Sequence, residues 1–576
     1  MKNLESFIYS ILESKFKKKL MIFLTAGAFF LSLLMFPTKM VLAKMLPGKS
    51  ANTFSVYVDT PKGSSIEQTK EVSDCVIDIL KQEKEVMNIE LFLAQGIPLD
   101  YAGLVKGASM KHTENVSEIA VNLTDKHHRE EASFLMVQRL RPLIQETCGP
   151  LTRGTNIKLI EQPSGPPTLA SIVVEVHGTD LSKIRSLAVD VADVLSETEG
   201  LVDIDLMADE NYYKYELIPD KEKIARSGLS VKQVNNILYL AFEGMVIAHK
   251  NSKNVPDQID IFLVLDKESK KLPVSNENAL QSKLSSLNLM NMRGMMVPLS
   301  EVVDIRKVRS NPSIMHKDLS RVVNVIAETD MVSQVYPLLE ARDELLKRFE
   351  NDYIITKEGI STYMFDFTLE DRQTHEKYLI RWDGEMKVSL DTFRDLGAAF
   401  ISALILIFLL LVIYYKSFAI SGIVLLGSFL SLIGVIVGHW VANWFTDETF
   451  FLTSTSLIGF IALIGISSRN SLLLIDFAKS LMEHEGMKKR RAIAVATATR
   501  AKPIALTAVA IILGSALLAG DPVFGGLGVA LISGTVAAVF VSLLFVPVLM
   551  DNAKAMDFDT PDNIDTEHHK NISITK

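Results

Sequence analysis

Arg469 stands in the middle of a run with no other charge until its end, Leu463-Ile464-Gly465-Ile466-Ser467-Ser468-Arg469-Asn470-Ser471-Leu472-Leu473-Leu474-Ile475-Asp476. Largely apolar residues flank it on both sides for about two helical turns, too far for its side chain to reach an interface. A cation near a bilayer centre costs several kcal/mol unless it is paired or faces water, so Arg469 is the leading functional candidate. Ser468 and Asn470 adjoin it. Asp476 lies two turns on, about 10 Å along a helix axis, and Asp447 and Glu448 fall at the other end of the segment. No acid occupies the middle of any other apolar run, so the partner carboxylate is expected from another chain. Arg500, Lys502 and Thr507 open a later apolar run, where the Thr507 hydroxyl can join the same polar network. A buried acid facing Arg or Lys is a proton-responsive switch, because protonation removes the attraction that holds the helices.

Other clusters offer less. Asp125-Lys126-His127-His128-Arg129 is the densest polar group, but nothing at metal-ligand spacing converges on it, and it reads as a solvated turn. Met290, Met292, Met295 and Met296 surround Gly294 and invite soft-metal binding, yet methionines at a turn more often line an apolar surface. His568 and His569 read as solvated. Cys75 and Cys148 are open to two readings, a disulfide or two buried thiols. No nucleophile elbow, zinc-helix or Walker pattern is present. The sequence therefore assigns no catalytic residue, no metal ligand and no cofactor. A net charge of -8 with no separate basic domain argues against nucleic acid as a partner.

The elements that must position Arg469 follow from segregation along the chain. Of 576 residues 48% are hydrophobic and 22% charged, which coexist only if the two kinds are separated. Apolar segments run from Leu20 to about Phe36 and then over Leu396–Tyr415, Ile420–Val441, Phe451–Phe477, Pro503–Leu518 and Val523–Leu549, each near the length that crosses a bilayer. Six spans are expected in a lipid bilayer. Lys15, Lys17, Lys18 and Lys19 precede the first, with no small-residue cleavage site close behind, so it reads as a retained anchor. Lys416 marks the turn after Tyr415, and Lys479, Lys488, Lys489, Arg490, Arg491, Arg500 and Lys502 crowd a single loop. The turns at Asp447–Glu448 and Gly520–Pro522 carry no cation. By the positive-inside rule both termini are cytoplasmic and residues 44–390 lie outside.

The expected fold is an α-helical membrane bundle of six helices plus an α+β extracytoplasmic domain. In the latter, strands at Phe54–Asp59, Glu118–Leu123, Ile172–His177 and Leu201–Leu206 and extended segments over Ile314–Ala327 alternate with helices at Ser65–Gln82, Leu181–Ser196 and near Val335–Phe349. That order suggests split-βαβ subdomains. A stretch of different texture interrupts them, with Tyr212, Tyr213 and Tyr215, a helix at Val231–Ala241 and a strand near Gln258–Leu265. Boundaries fall at 1–19 for an amphipathic interfacial helix (Leu4, Phe7, Ile8, Ile11, Leu12), 20–43 for the first span, 44–165 for the first subdomain, and 166–209 with 311–380 for the second. The insert is 210–310, the five-span bundle 392–550, and 551–576 a disordered tail.

These residues resemble the C-terminal half of a permease of the resistance-nodulation-division (RND) superfamily, of the hydrophobe/amphiphile-exporter type. The resemblance rests on Gly465–Asn470 running into Asp476-Phe477-Ala478-Lys479, and on Arg500-Ala501-Lys502-Pro503-Ile504 leading to Thr507. Tyr414-Tyr415-Lys416-Ser417-Phe418 and Lys44-Met45-Leu46-Pro47 add to it. It implies that Arg469 replaces the relay lysine, with Arg500 and Thr507 at other relay positions and Ser468, Asn470 and Asp476 around them. It further implies two porter modules linked by Gln162-Pro163-Ser164-Gly165-Pro166-Pro167, and a docking module in the insert. The implied protein is a proton-driven antiporter of the bacterial inner membrane that exports amphiphilic or toxic compounds and needs no cofactor. Its partners would be a separately encoded N-terminal half supplying the aspartate pair, in a trimer, with a periplasmic adaptor and an outer-membrane channel. A non-transporting subunit or fragment of a split or degenerate gene is the alternative, or a metal-ion exporter of the same superfamily.

Overall fold

The computed structural model describes residues 2–556 except 49, 99–102, 107–110, 163–164, 166, 209–211, 254, 267–275, 311–312, 331–332, 358–364 and 447–448. Asp447, Glu448, half of the proposed inter-module link and the tail with His568 and His569 thus lie outside the described residues. The chain divides into two compact units, 1–207 with 315–576, and 208–314.

The first unit holds two copies of one topology. In the first copy β1 (Thr53–Asp59), β2 (Val86–Leu93), β3 (Val116–Leu123) and β4 (Asn156–Glu161) form an antiparallel sheet of order β2-β3-β1-β4. Helices Ile66–Leu80 and Ser133–Cys148 connect its strands. Ser65 caps the former through a capping box with Gln68, the side chains satisfying backbone donors that the first turn leaves free. Val72, Val76 and Leu80 recur at helical spacing and are buried with Val137, Leu140 and Ile144 beneath Val56, Val58 and Ile119. Each such side chain contributes about 1.5–3 kcal/mol. Cys75 and Cys148 join the two helices in a disulfide, which resolves the alternative the sequence leaves open.

The second copy uses β5 (Ile172–Gly178), β6 (Leu201–Met207), the long Ser320–Thr329 strand and Lys377–Asp383, again with the second strand beside the third, then the first, then the fourth, and its sheet continues past the fourth with Phe367–Asp371 and Tyr353–Lys357. The extended segments expected over Ile314–Ala327 are two strands, His316–Lys317 and Ser320–Thr329. His316–Lys317 pairs back onto Arg321 and Ser320, through a turn in which Asp318 and Leu319 take positive φ. The second unit, 208–314, is inserted between the second and third strands of this copy. Its own core comprises Ile224, Val234, Leu284, Leu299 and Val302.

Among the described residues five helices are long and apolar enough to cross a membrane: Glu385–Tyr415, Phe418–Ala442, Ser454–Glu483, Lys489–Ala519 and Gly525–Asn552. The sixth expected span lies in the helix Lys15–Leu34, where the four lysines leave only Leu20–Leu34 as uninterrupted apolar helix. The preceding helix, Lys2–Glu13, departs from the interfacial reading. Its Ile8, Ile11 and Leu12 are buried against Leu474, Ile475, Ile493 and Val546, although Phe7 is exposed. Amphipathicity shows that one face seeks an apolar partner, and here much of that partner is protein. Lys18 pairs at 2.6 Å with Asp551, which Arg490 also meets at 3.3 Å, so the lysine cluster is tied to the end of the last helix.

Candidate functional site

Arg469 sits on the Ser454–Glu483 helix, capped at Thr453 by a capping box with Ser456. Ile458, Ala462, Gly465, Arg469 and Leu473 are all exposed. Steps of four, three, four and four place them on one face. The opposite face, with Phe460, Leu463, Ser467, Ser471 and Leu474, is buried. Leu463 packs where a side chain on Gly534 would stand. Arg469 therefore lies on the side this chain leaves uncovered, and among the described residues no hydrogen bond or ion pair reaches it. Small residues beside it, Ala462 and Gly465, allow close approach of another helix.

The remaining expected site residues are placed separately. Asp476 accepts a hydrogen bond from the Tyr415 hydroxyl at 2.8 Å, and Tyr414 stands at 3.5 Å. Both tyrosines end the Glu385–Tyr415 helix, so Asp476 belongs to the turn after that helix rather than to Arg469. The Arg500 guanidinium lies 4.8 Å from the centre of the Phe477 ring, a cation–π contact, while its buried Nε has no hydrogen-bond partner. The Thr507 hydroxyl donates to the Pro503 carbonyl at 2.9 Å, a local bond within its own helix. Ser468 meets Ser428 at 2.9 Å, and Asn470 is buried. No hydrogen bond or ion pair among the described residues joins Arg469, Arg500, Thr507 and Asp476.

Sequence reasoning passes over His439. Fully buried in Leu432–Ala442, it donates from Nδ1 to the Val435 carbonyl at 2.7 Å, and Nε2 meets the Ser456 hydroxyl at 2.8 Å. A carbonyl only accepts, so the proton is on Nδ1 and Nε2 accepts from Ser456. Thr453 and Thr455 continue the chain of hydroxyls to the Val523 carbonyl. Gly526 is required beside it, since a Cβ there would stand 2.3 Å from the Thr453 hydroxyl and 2.4 Å from that of Ser456. A histidine inside an apolar run was the available signal.

Outside the bundle, charge joins the two βαββαβ copies. Asp203 of β6, with φ 53°, accepts from Arg141 Nε at 3.2 Å, Gln145 Nε2 at 3.0 Å and the Leu159 amide at 3.3 Å. Burial raises the Asp203 carboxyl and Arg141 offsets part of that. Lys158 bridges Asp59 at 2.8 Å and Asp205. Burial alone would raise Asp59, but Lys158 and Lys111 outweigh it and hold the carboxyl below its usual range. Burial pushes Glu161 up to about 7 against Arg141 and Lys44. Lys106 reaches Glu328 at 2.7 Å, and Glu328 also accepts from Ser171. Seams this polar favour relative motion of their two sides.

The Asp125–Arg129 segment is a turn whose Arg129 bonds Ser50 and the Ala51, Thr124 and Glu131 carbonyls. Met290 and Met296 pair across a short hairpin with Met292 and Met295 at its turn, and all four side chains are exposed. Among the described residues no group of three or more His, Cys, Asp or Glu is placed to hold a metal.

The model of the AcrB/AcrD/AcrF family matches residues 3–363 and 367–551. The chain belongs to that family. It is 23% identical to the swarming motility protein SwrC of Bacillus subtilis (strain 168) over 90% of this chain and 44% of that protein. With the multidrug export protein AcrF of Escherichia coli (strain K12) it shares 25% identity, over 88% of this chain and 45% of AcrF. The crystal structure of a heavy metal efflux pump superposes with a TM-score of 0.68 at 17% identity, covering 95% of this chain and 51% of that one. The chain thus spans about half the length of the relatives it matches, and its family is one of RND efflux transporters rather than of catalytic enzymes.

Proposed function

We propose that this chain is the C-terminal half-permease of a proton-driven RND exporter for small amphiphilic compounds, completed by a separately encoded N-terminal half. The carrying observation is the uncovered face of the Ser454–Glu483 helix, on which Arg469 has no counter-ion among the described residues. A cation in an apolar span needs an acid to pair with, and the other half is where the family's aspartate pair would stand. Proton exchange at that pair would switch the attraction to Arg469 on and off and so bias the packing of the two halves. In this reading Leu20–Phe36 forms the sixth span, both ends of the chain face the cytoplasm of a bacterial inner membrane, and 44–390 face the periplasm. The two βαββαβ copies serve as porter modules and 208–314 as the docking module toward an outer-membrane channel, with an adaptor and a threefold assembly. No cofactor is used beyond the proton gradient. Arg500 and Thr507 are the further relay residues.

The test is co-expression with an N-terminal half of the same family from the same genome, in a strain lacking both. Export of dyes, detergents, drugs and metal ions is compared for the parent, Arg469→Ala and Arg469→Lys. Arg469→Ala is expected to reduce export to background while the halves still co-purify, and Arg469→Lys to retain part of it. Unchanged export in Arg469→Ala refutes the relay assignment, and a chain that transports alone refutes the pairing.

A further inference from the structure

A serine or threonine inside an apolar helix commonly bonds the carbonyl one turn back in its own helix. Ser421, Ser428, Thr497 and Ser533 of this bundle all do so, to Ser417, Val424, Ile493 and Val529. Ser467, Ser471 and Ser542 do not. Each is 0% exposed, and none of their hydroxyls has a hydrogen-bond partner among the described residues. Ser467 and Ser471 lie one turn apart on the buried face of the Ser454–Glu483 helix, away from Arg469. Close approaches fix what they face. A Cβ on Gly459 would stand 3.1 Å from that of Ala530, and one on Gly534 would stand 2.2 Å from the Leu463 side chain. Both helices advance by one turn between those levels, so two further turns bring Ser471 opposite Ser542. A Cβ on Gly427 would stand 2.8 Å from Val546 and 3.4 Å from the Ser471 hydroxyl, which puts Val546 near the same level.

There the last helix changes its own hydrogen bonding. Val541–Phe545 forms a π-turn, in which the Val546 amide donates to the Val541 carbonyl. Pro547, next in line, has no amide to give. The Ser542 carbonyl is thereby left without a helical amide of its own, beside the three free hydroxyls. π-Turns of this kind recur at functional sites. Polar groups buried among apolar side chains are costly unless they are hydrogen-bonded, and an internal water meets that need where several polar partners converge. We propose that the Ser467, Ser471 and Ser542 hydroxyls and the Ser542 carbonyl bind internal water in the middle of the bundle, as a removable spacer between the Arg469 helix and the last helix. Apolar layers close the site on both sides, Val435, Phe460 and Leu463 toward one end and Leu474, Ile475 and Val546 toward the other. With water in place the hydroxyls are bridged across the gap. When it leaves, Ser471 and Ser542 pair only if the helices close up, so the helix that carries Arg469 has two packings against the last one. The site stands independently of the half-permease reading.

X-ray radiolysis of the full chain in lipid nanodiscs, in isotope-labelled water, tests this, because hydroxyl radicals made from a bound water oxidise the side chains beside it. Leu474 and Val546 adjoin the site, whereas Leu463 and Val435 lie in the apolar layer beyond it, and all four are at most 1% exposed. Label is expected in Leu474 and Val546 at least about fivefold faster than in Leu463 and Val435, and this excess is expected to vanish in Ser471→Ala/Ser542→Ala. Equal labelling of the two pairs, or an excess that survives in the double variant, overturns the proposal. Thermal unfolding gives a second measurement, whose sign decides. Ser471→Ala and Ser542→Ala are each expected to lower the midpoint by about 1–2 °C through loss of the bonds to water. A rise marks a dry hydroxyl relieved of its desolvation and overturns the proposal. A parent midpoint higher in sodium chloride than in choline chloride, with the difference lost in both variants, overturns it in favour of a sodium ion as occupant.

Discussion

Replacing Arg141 by Met tests whether buried charge holds the two βαββαβ copies together. The Arg141 and Asp203 side chains are 8% and 0% exposed, so solvent screens the pair little. Removing one member of a buried pair typically costs 3–5 kcal/mol, because the other charge is left uncompensated. Asp203 would keep two donors, Gln145 and the Leu159 amide, which places the expected cost at the low end, about 3 kcal/mol. The second contact of Arg141, to the more exposed Asp330 at 3.3 Å, adds at most about 1 kcal/mol. A loss of about 3 kcal/mol corresponds to a rate factor of roughly 150. Hydrogen exchange of the full chain in detergent should therefore show amides of Asn156–Glu161 and Leu201–Met207 exchanging roughly 150-fold faster in Arg141→Met, while the membrane helices are unaffected. Adding Asp203→Asn removes the stranded charge and should recover most of the loss, with a coupling energy of about 2 kcal/mol. Exchange within threefold of the parent in Arg141→Met, or no recovery in the double variant, refutes the role of the pair.

The disulfide closes a loop with a sequence separation of 73, so a Cys75→Ala/Cys148→Ala variant is expected to lose about 4 kcal/mol from the first subdomain, measured by denaturant unfolding with and without reductant; equal stability contradicts it. Glu161, pushed up to about 7 by burial, binds a proton more tightly folded than unfolded, so its burden on stability is absent below its ordinary value near 4.5 and grows as pH rises to about 7. Glu161→Gln should then raise the unfolding temperature at pH 8, leave it unchanged at pH 4, and flatten the pH dependence between; a variant parallel to the parent at every pH is the contrary result. A Cβ on Gly438 would stand 2.1 Å from the Ser533 hydroxyl, whereas one on Gly434 would stand 2.4 Å from the Ser533 backbone carbonyl. Both Ala variants are expected to lose about 1–3 kcal/mol by overpacking, but Ser533→Gly should rescue only Gly438→Ala in a thermal-stability assay, and rescue of both would show the backbones are not in contact there.

Sequence by itself determined the elements whose signal is local. The helices read over Ser65–Gln82 and Val335–Phe349 recur in the structure within a residue or two, because helical period is written in neighbouring residues. An arginine amid apolar neighbours was equally visible at Arg469. What tertiary structure decided depends on residues far apart in the chain. The Cys75–Cys148 pairing, the Arg141–Asp203 clamp and the burial of Ile8 and Leu12 against Ile475 and Val546 join segments whose encounter no local period encodes. The same holds for the direction Arg469 faces: periodicity places it on a helix, but only the packing of Leu463 against Gly534 shows which side is filled and which is left open. Helix geometry sets which residues share a face, and the neighbours that exclude solvent set what that face meets.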